Sequence, residues 1–260
     1  MPSYNDWGQG IVDSNPSALT MLKKEGYHSL LFFYQMKNYK IFAVIPAYNA
    51  AKTIKQVVGE LQKCLPEILI IIVNDGSFDE TATILKELDV ITIEHTNNLG
   101  KGAALRNGIR RALEAGGEFI FTIDSDNQHN PVDCRKLLNE LLEQNLDLVI
   151  GSRMGNKDKM PFSRQISNRV TSKFVSWRIR QKIADSQSGF RLYRAQLLQS
   201  IKLSSTQFEI ESEMLIKAAL KGFKIGTINI ETIYTCNQTS YIKASDIFRF
   251  LKLYFQSFSW

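Results

Sequence analysis

The sequence predicts an α/β fold, a mostly parallel sheet flanked by helices, on three observations. Short β-branched runs alternate with stretches whose apolar residues recur at helical spacing. The connections between them are short, which implies right-handed crossovers between parallel strands. Polar clusters follow the apolar runs at their carboxyl ends, the edge where such sheets bind ligands.

Taken in order, residues 41–45 are an apolar run stopped by Pro46 and followed by Ala47-Tyr48-Asn49; Ile54, Val57, Val58, Leu61 and Leu65 then trace a helix. Residues 68–73 are the second strand, ending in Asn74-Asp75-Gly76-Ser77, with Ser77 and Glu80 at capping-box spacing for a helix through Leu88. Residues 90–93 are the third. Its loop, Asn97-Asn98-Leu99-Gly100-Lys101-Gly102, opens a helix bearing Leu105, Ile109, Ala112 and Leu113. Residues 119–123 are the fourth, and Asn130-Pro131 reads as N-cap and first residue of a helix carrying Leu137, Leu138, Leu141 and Leu142. Residues 146–150 are the fifth strand. A helix over 164–183 places Ile166, Val170, Phe174 and Trp177 on one face with cations on others, a pattern common in solvated surface helices. A later helix begins at Phe208-Glu209-Ile210-Glu211 and runs to Gly222.

The chain of 260 residues, 44% hydrophobic and 22% charged, has material for one large core, and disorder throughout is excluded. Residues 1–36 read as an extension without an assignable role, 37–235 as the domain, and 236–260 as a C-terminal amphipathic segment. The net charge of +6 suits an anionic partner, but no basic run with interleaved aromatics, zinc spacing or helix-turn-helix pattern favours nucleic acid. Cys64, Cys134 and Cys236 are odd in number and far apart, which favours free thiols and a cytoplasmic setting. No secretory signal is expected, since Asp6 and Asp13 stand where one wants positive charge. No stretch approaches the roughly 20 apolar residues that span a bilayer.

Chemistry concentrates after the fourth strand, in Asp124-Ser-Asp126-Asn-Gln128-His129. Alternate side chains of an extended chain share a face, so Asp124, Asp126 and Gln128 can offer three oxygens to a hard divalent cation, Mg²⁺ or Mn²⁺, beside a diphosphate. Asp, Asn and Ser are also turn formers, and a lone Asp-x-Asp is more often a turn. Tyr48, read alone, is a packed core tyrosine.

The ordered motifs Ile-Pro46-Ala-Tyr48-Asn49, Asn-Asp75-Gly-Ser-Phe-Asp-Glu-Thr, Asn-Leu-Gly-Lys101-Gly-Ala-Ala, Asp124-Ser-Asp126-Asn-Gln128-His and Gly-Ser-Arg153 resemble family 2 glycosyltransferases with the GT-A fold, a nucleotide-sugar-binding fold. The likeness covers about residues 37–234, and the polyprenol-phosphate sugar transferases are the branch most resembled. The resemblance implies that Pro46, Tyr48 and Asp75 line the nucleotide pocket, Tyr48 stacking on the base and Asp75 accepting from its ring N–H; Asn49, Lys101 and Asp124 join them in donor binding. It implies a metal on Asp124, Asp126 and Gln128, with Asp126, Arg153 and Arg164 at the catalytic centre and the two arginines on the acceptor phosphate. The segment Asp185-Ser-Gln-Ser-Gly-Phe-Arg191 resembles a further signature on the acceptor side. Two departures stand out: Ala50 where relatives often have Glu, and Asn74 in place of a common Asp.

The expectation is therefore a metal-dependent, inverting transfer of a sugar from a nucleoside diphosphate sugar to a polyprenyl (dolichyl or undecaprenyl) phosphate, by a peripheral protein at the cytoplasmic face of a membrane. A phosphate acceptor has a second pKa near 6 and needs no strong base. Transfer to a glycan or lipid-linked sugar hydroxyl, with Glu209 or Glu211 as base, is the alternative. The C-terminal residues Ile247, Phe248, Phe250, Leu251, Leu253, Tyr254, Phe255 and Phe258, among Lys243, Arg249 and Lys252, suit a helix in a membrane interface; packing on the domain or on another subunit is the competing reading.

Overall fold

The computed structural model describes residues 39–155, 160–232 and 244–260; the extension at 1–36, Cys236 and the head of the C-terminal segment lie outside these. In chain order the elements are β1 (Ile41–Ala47), α1 (Ile54–Cys64), β2 (Leu69–Asp75), α2 (Thr81–Leu85), β3 (Ile91–His95), α3 (Lys101–Glu114), β4 (Phe119–Thr122) and α4 (Asp133–Glu143). There follow β5 (Leu148–Ser152), α5 (Phe162–Ile179), β6 (Arg191–Arg194), α6 (Ala195–Ser200), α7 (Ile210–Leu220), β7 (Ile225–Asn229) and α8 (Ala244–Gln256), which ends in a 3-10 turn at Ser257–Ser259.

The seven strands form one sheet in the order β3-β2-β1-β4-β6-β5-β7. All run the same way except β6, which pairs antiparallel with both β4 and β5. The mostly parallel sheet is as expected; the reversed strand is not. Its sequence, Arg-Leu-Tyr-Arg, carries a charge at each end, so no apolar run announces it. β7 also went unread, because Ile-Gly-Thr-Ile-Asn is short and half polar.

β1 extends through Pro46, where a break was expected. Val44 C=O accepts from Ile123 on the β4 side, and Pro46, two residues on, points to that same side beyond the last pair, Val44↔Thr122. The missing N–H therefore leaves no ladder bond unmade. One face of the sheet, with Phe42, Val44, Ile71, Val73, Ile120, Leu148 and Ile150, shares a core with Ala104, Leu105 and Ile109 of α3, Leu197 of α6 and Met214 and Leu215 of α7. The alternate residues, including Ala43, Ile45, Ile70, Ile72 and Phe121, are equally buried on the opposite face.

The capping box expected at Ser77 and Glu80 is not formed. The short α2 is started by Asp79, whose Oδ1 accepts from Thr81 N–H at 3.0 Å and from its hydroxyl at 2.5 Å, while Ser77 Oγ accepts from Asn49 N–H at 2.9 Å. Asn130-Pro131 is not the N-cap and first residue of α4, which starts at Asp133 with Val132 before it; Asn130 Oδ1 instead accepts from Val132 N–H at 3.1 Å in the preceding turn. The helix expected over 164–183 ends at Ile179, where Arg180 is left-handed at φ 55°.

Candidate active site

The polar clusters gather at the carboxyl edge of the sheet. Asn49, after β1, is left-handed (φ 52°), and its Oδ1 accepts from Phe78 N–H at 3.1 Å, stitching the β1 and β2 loops together. Tyr48 is not a core residue: it is 46% exposed and meets Phe78, 82% exposed, edge to face at 6.0 Å. Two uncovered aromatics thus stand beside half-buried Pro46.

Asp75 is buried at the end of β2. Its Oδ1 accepts from Leu99 N–H at 2.9 Å and from His95 Nδ1 at 2.7 Å, and its Oδ2 accepts from Gly100 N–H at 2.8 Å. Asn107 lies 2.8 Å from His95 Nε2, so both ring nitrogens have a partner. The carboxylate that the resemblance directs at a base is therefore first the anchor of the loop at 97–102. Asn74 bonds Glu94 Oε2 through Nδ2 at 2.7 Å, so an Asp there would face a second carboxylate.

The acidic residues are gathered by a turn and not by strand alternation, which corrects the expectation. β4 ends at Thr122, Asn127 is left-handed at φ 59°, and Gln128 N–H donates back to Asp126 Oδ1 at 3.0 Å. Asp124 lies 2.6 Å from Lys101 Nζ and 3.5 Å from His129 Nε2. Burial alone would raise its pKa, but the Lys101 and His129 charges and hydrogen bonds hold it far below the usual carboxylate range. Asp126 is pushed the other way, by burial and then by the Asp124 charge. Gln128 is buried, with Oε1 3.4 Å from Arg164 Nη1.

Lys101, the first residue of α3, also lies 2.6 Å from Glu211 Oε1 at the start of α7. One ammonium thus joins two carboxylates from distant elements. Burial would lower its pKa; Asp124 and then Glu211 overrule that and raise it. Gly189 lies directly against Asp124: a Cβ there would fall 2.5–2.8 Å from the carboxyl atoms.

Arg153, expected on the acceptor side, is committed to Asp185. Its Nε and Nη2 each stand 2.9 Å from a carboxylate oxygen, and its backbone N–H adds a third bond at 3.1 Å. The fork expected to meet a phosphate grips a buried aspartate. Arg191 is wholly buried, its guanidinium satisfied by the carbonyls of Ser188, Ser186 and Glu211 at 2.7–2.8 Å, so it braces the Asp185–Arg191 loop over the site. His129 was not singled out from sequence. It is buried against Phe190 at 5.3 Å, and adjacency to the acidic pair was its only signal.

Among the described residues no group of three or more His, Cys, Asp or Glu side chains is disposed to hold a metal. A divalent ion would rest on two carboxylates and the Gln128 amide. The donor set fits one: hard oxygens, with an acid whose charge is disfavoured until a cation arrives.

Known proteins resemble the chain in sequence and in fold. Residues 42–202 match the model of Glycosyl transferase family 2. The UDP-N-acetylglucosamine–dolichyl-phosphate N-acetylglucosaminyltransferase of Methanococcus voltae is 36% identical over 218 residues, covering 75% of this chain and 86% of its own. The polyprenol monophosphomannose synthase of Mycolicibacterium smegmatis is 27% identical over 203 residues, covering 74% and 76%. Among solved structures, the glucosyl-3-phosphoglycerate synthase of Mycobacterium tuberculosis, crystallised with Mn²⁺, UDP and phosphoglyceric acid, superposes with a TM-score of 0.64 at 17% identity over 88% of this chain and 80% of that one. With the motifs in order along one sheet edge and more than half of its length matched, the chain belongs to glycosyl transferase family 2 and has the GT-A fold.

Proposed function

We propose that the protein transfers one sugar, with inversion, from a nucleoside diphosphate sugar to a polyprenyl phosphate at the cytoplasmic face of a membrane. The observation that carries this reading is a junction. Arg164, in the first turn of α5, reaches Gln128 of the acidic turn, and from it the same helix runs out with Ile166, Val170, Phe174 and Trp177 all exposed. An apolar path thus leads from the acidic turn to a surface that α8 covers only in part, as a lipid-linked acceptor needs.

The donor half follows from the sheet edge. Tyr48 offers a face for the base, Asn49 and Asp75 hold the two loops that frame it, and Lys101 supplies positive charge for the diphosphate. Asp124, Asp126 and Gln128 would hold Mg²⁺ or Mn²⁺, which when bound supplies charge to the leaving diphosphate. Relatives named for dolichyl-phosphate and polyprenol transfer support the acceptor.

In the transfer, an acceptor phosphate oxygen forms a bond to the anomeric carbon as the bond to the diphosphate oxygen breaks, and the nucleoside diphosphate leaves with the electron pair. Arg164 orients the acceptor phosphate, and Arg153, held in place by Asp185, adds positive charge beside it. No proton need be removed from a dianion. The sugar-hydroxyl alternative fares worse, because Glu211 is already paired with Lys101 and Glu209 accepts from Gln207 N–H.

Membrane contact is peripheral in this reading. No helix among the described residues is long and apolar enough to cross a bilayer. α8 packs on α5 through Tyr254 against Phe174 (5.2 Å) and Trp177 (6.5 Å), yet leaves Ile247, Phe248, Leu251, Phe255 and Phe258 exposed. The two readings of the C-terminal segment therefore combine, one face on the domain and the other offered to lipid. Cys64 and Cys134 are free, in keeping with a cytoplasmic setting.

The deciding experiment offers labelled donor sugar to a short polyprenyl phosphate and, separately, to glycan and sugar-hydroxyl acceptors. Label is expected on the phosphate alone; preferential labelling of a hydroxyl acceptor would overturn the acceptor reading.

A further inference from the structure

We propose that Lys101 is a built-in counter-ion that couples binding of the divalent cation to binding of the donor diphosphate, an inference that rests on the metal reading of Asp124 and Asp126. Lys101 Nζ lies 2.6 Å from Asp124 Oδ1, on the carboxylate a cation needs, and 2.6 Å from Glu211 Oε1. The Lys101 side chain is 15% exposed and that of Glu211 7%, so both charges are poorly screened. A cation arriving at Asp124 competes with an ammonium already there.

Asp124 cannot yield by moving away. Gly189 closes one side of its carboxyl group, and His129 stands 3.5 Å off Oδ2. What can move is the far end of the Lys101 side chain. Its backbone is fixed, since Gly100 N–H is tied to Asp75 and Ala103 N–H to Thr206 C=O, whereas a lysine stem has four carbons of reach. Glu211 keeps the released ammonium beside the site as a tether, which makes both Lys101 and Glu211 positioning residues.

Energetic economy sets the direction of coupling. A divalent cation alone must displace an ammonium that then loses one of its two carboxylates. A cation arriving with a diphosphate gives that ammonium a new anionic partner. Each ligand therefore strengthens the other, and by linkage the two factors are equal. Without Lys101 the penalty on cation binding disappears, and the coupling falls to what direct attraction between cation and diphosphate supplies.

The experiment titrates Mn²⁺ into the full-length protein, reading free Mn²⁺ by electron paramagnetic resonance, with and without UDP or GDP. In the unmodified protein one of the diphosphates is expected to tighten Mn²⁺ binding by about fivefold or more. Lys101→Met is expected to bind Mn²⁺ at least about fivefold more tightly without nucleotide and to show weaker coupling than the unmodified protein. Lys101→Arg, which keeps the charge, retains the full coupling; Lys101→Gln gives the same readout as Lys101→Met if the Met variant does not fold. Unchanged or weaker Mn²⁺ binding by the uncharged variants, with the unmodified protein still coupling the two ligands, would overturn the counter-ion role alone. An unmodified protein that binds no Mn²⁺ with or without nucleotide overturns both this role and the metal reading beneath it.

Discussion

Arg153 and Asp185 hold each other in a two-pronged ion pair, Nε to Oδ2 and Nη2 to Oδ1, each at 2.9 Å. Asn168 of α5 adds a bond to the same carboxylate at 2.8 Å, so the end of β5, α5 and the Asp185–Arg191 loop are joined through one buried group. Removing it leaves a guanidinium without its partner. Asp185→Ala is expected to cost about 3–5 kcal/mol of stability, read by urea unfolding. An Asp185→Ala protein as stable as the parent would show that the pair is incidental.

The same pair sets a pH dependence. Burial would raise the Asp185 pKa, but the Arg153 charge and hydrogen bonds hold it below the ordinary carboxylate value. A depressed folded pKa contributes stability in full above the unfolded value of about 3.9, and that stability is lost as pH falls through the folded one. Acidification below about pH 4 should therefore destabilise the parent more steeply than Asp185→Asn. Equal slopes would contradict the assignment.

Asp126 carries the opposite strain. Burial and the neighbouring Asp124 charge disfavour its ionised form, so Asp126→Asn should raise the melting temperature of the metal-free protein. Asn keeps the side-chain oxygen that accepts from Gln128 N–H. Turnover should nevertheless be abolished in Asp126→Asn and in Asp126→Ala, with the fold intact by circular dichroism. Wild-type turnover in either would remove Asp126 from the metal site.

Gly189→Ala sets a methyl group within 2.5–2.8 Å of the Asp124 carboxyl atoms. Overpacking of this kind costs about 1–3 kcal/mol, and displacing a group at the reacting centre by an ångström lowers kcat by about a hundredfold. Steady-state kinetics on the folded variant should show the loss mainly in kcat. A variant with full activity would mean that Asp124 tolerates displacement.

The proposed membrane contact rests on Phe248 and Phe255, which are 70% and 69% exposed on α8. Burying a Phe side chain contributes about 1.5–3 kcal/mol, so Phe248→Asp and Phe255→Asp should each weaken binding to anionic vesicles by more than about tenfold. Activity on a short, water-soluble acceptor should persist. Unchanged vesicle binding in both variants would remove α8 from the interface.

Most of this fold is legible in the chain. β1 to β5 and the helices between them are written in apolar periodicity, and the ligand-binding edge follows from where the polar clusters fall. What stayed hidden depends on partners far along the sequence. Nothing near Arg153 announces that its fork is taken by an aspartate 32 residues away, and nothing near Lys101 announces Glu211. β6 was concealed because Arg191 is wholly buried and yet charged, its guanidinium satisfied by three carbonyls that only the folded loop supplies. Tyr48 shows the converse: composition points to the core, and the turn after β1 turns it outward.

Sugar transfer to a lipid phosphate is read without intermediaries by mass spectrometry of the lipid phase. The protein is incubated with detergent-dispersed polyprenyl phosphate, Mn²⁺ and a panel of UDP and GDP sugars. The account predicts, for at least one donor, a lipid heavier by a single sugar residue and one nucleoside diphosphate released for each. Unmodified lipid with every donor, from protein that still binds nucleotide and Mn²⁺, would contradict it.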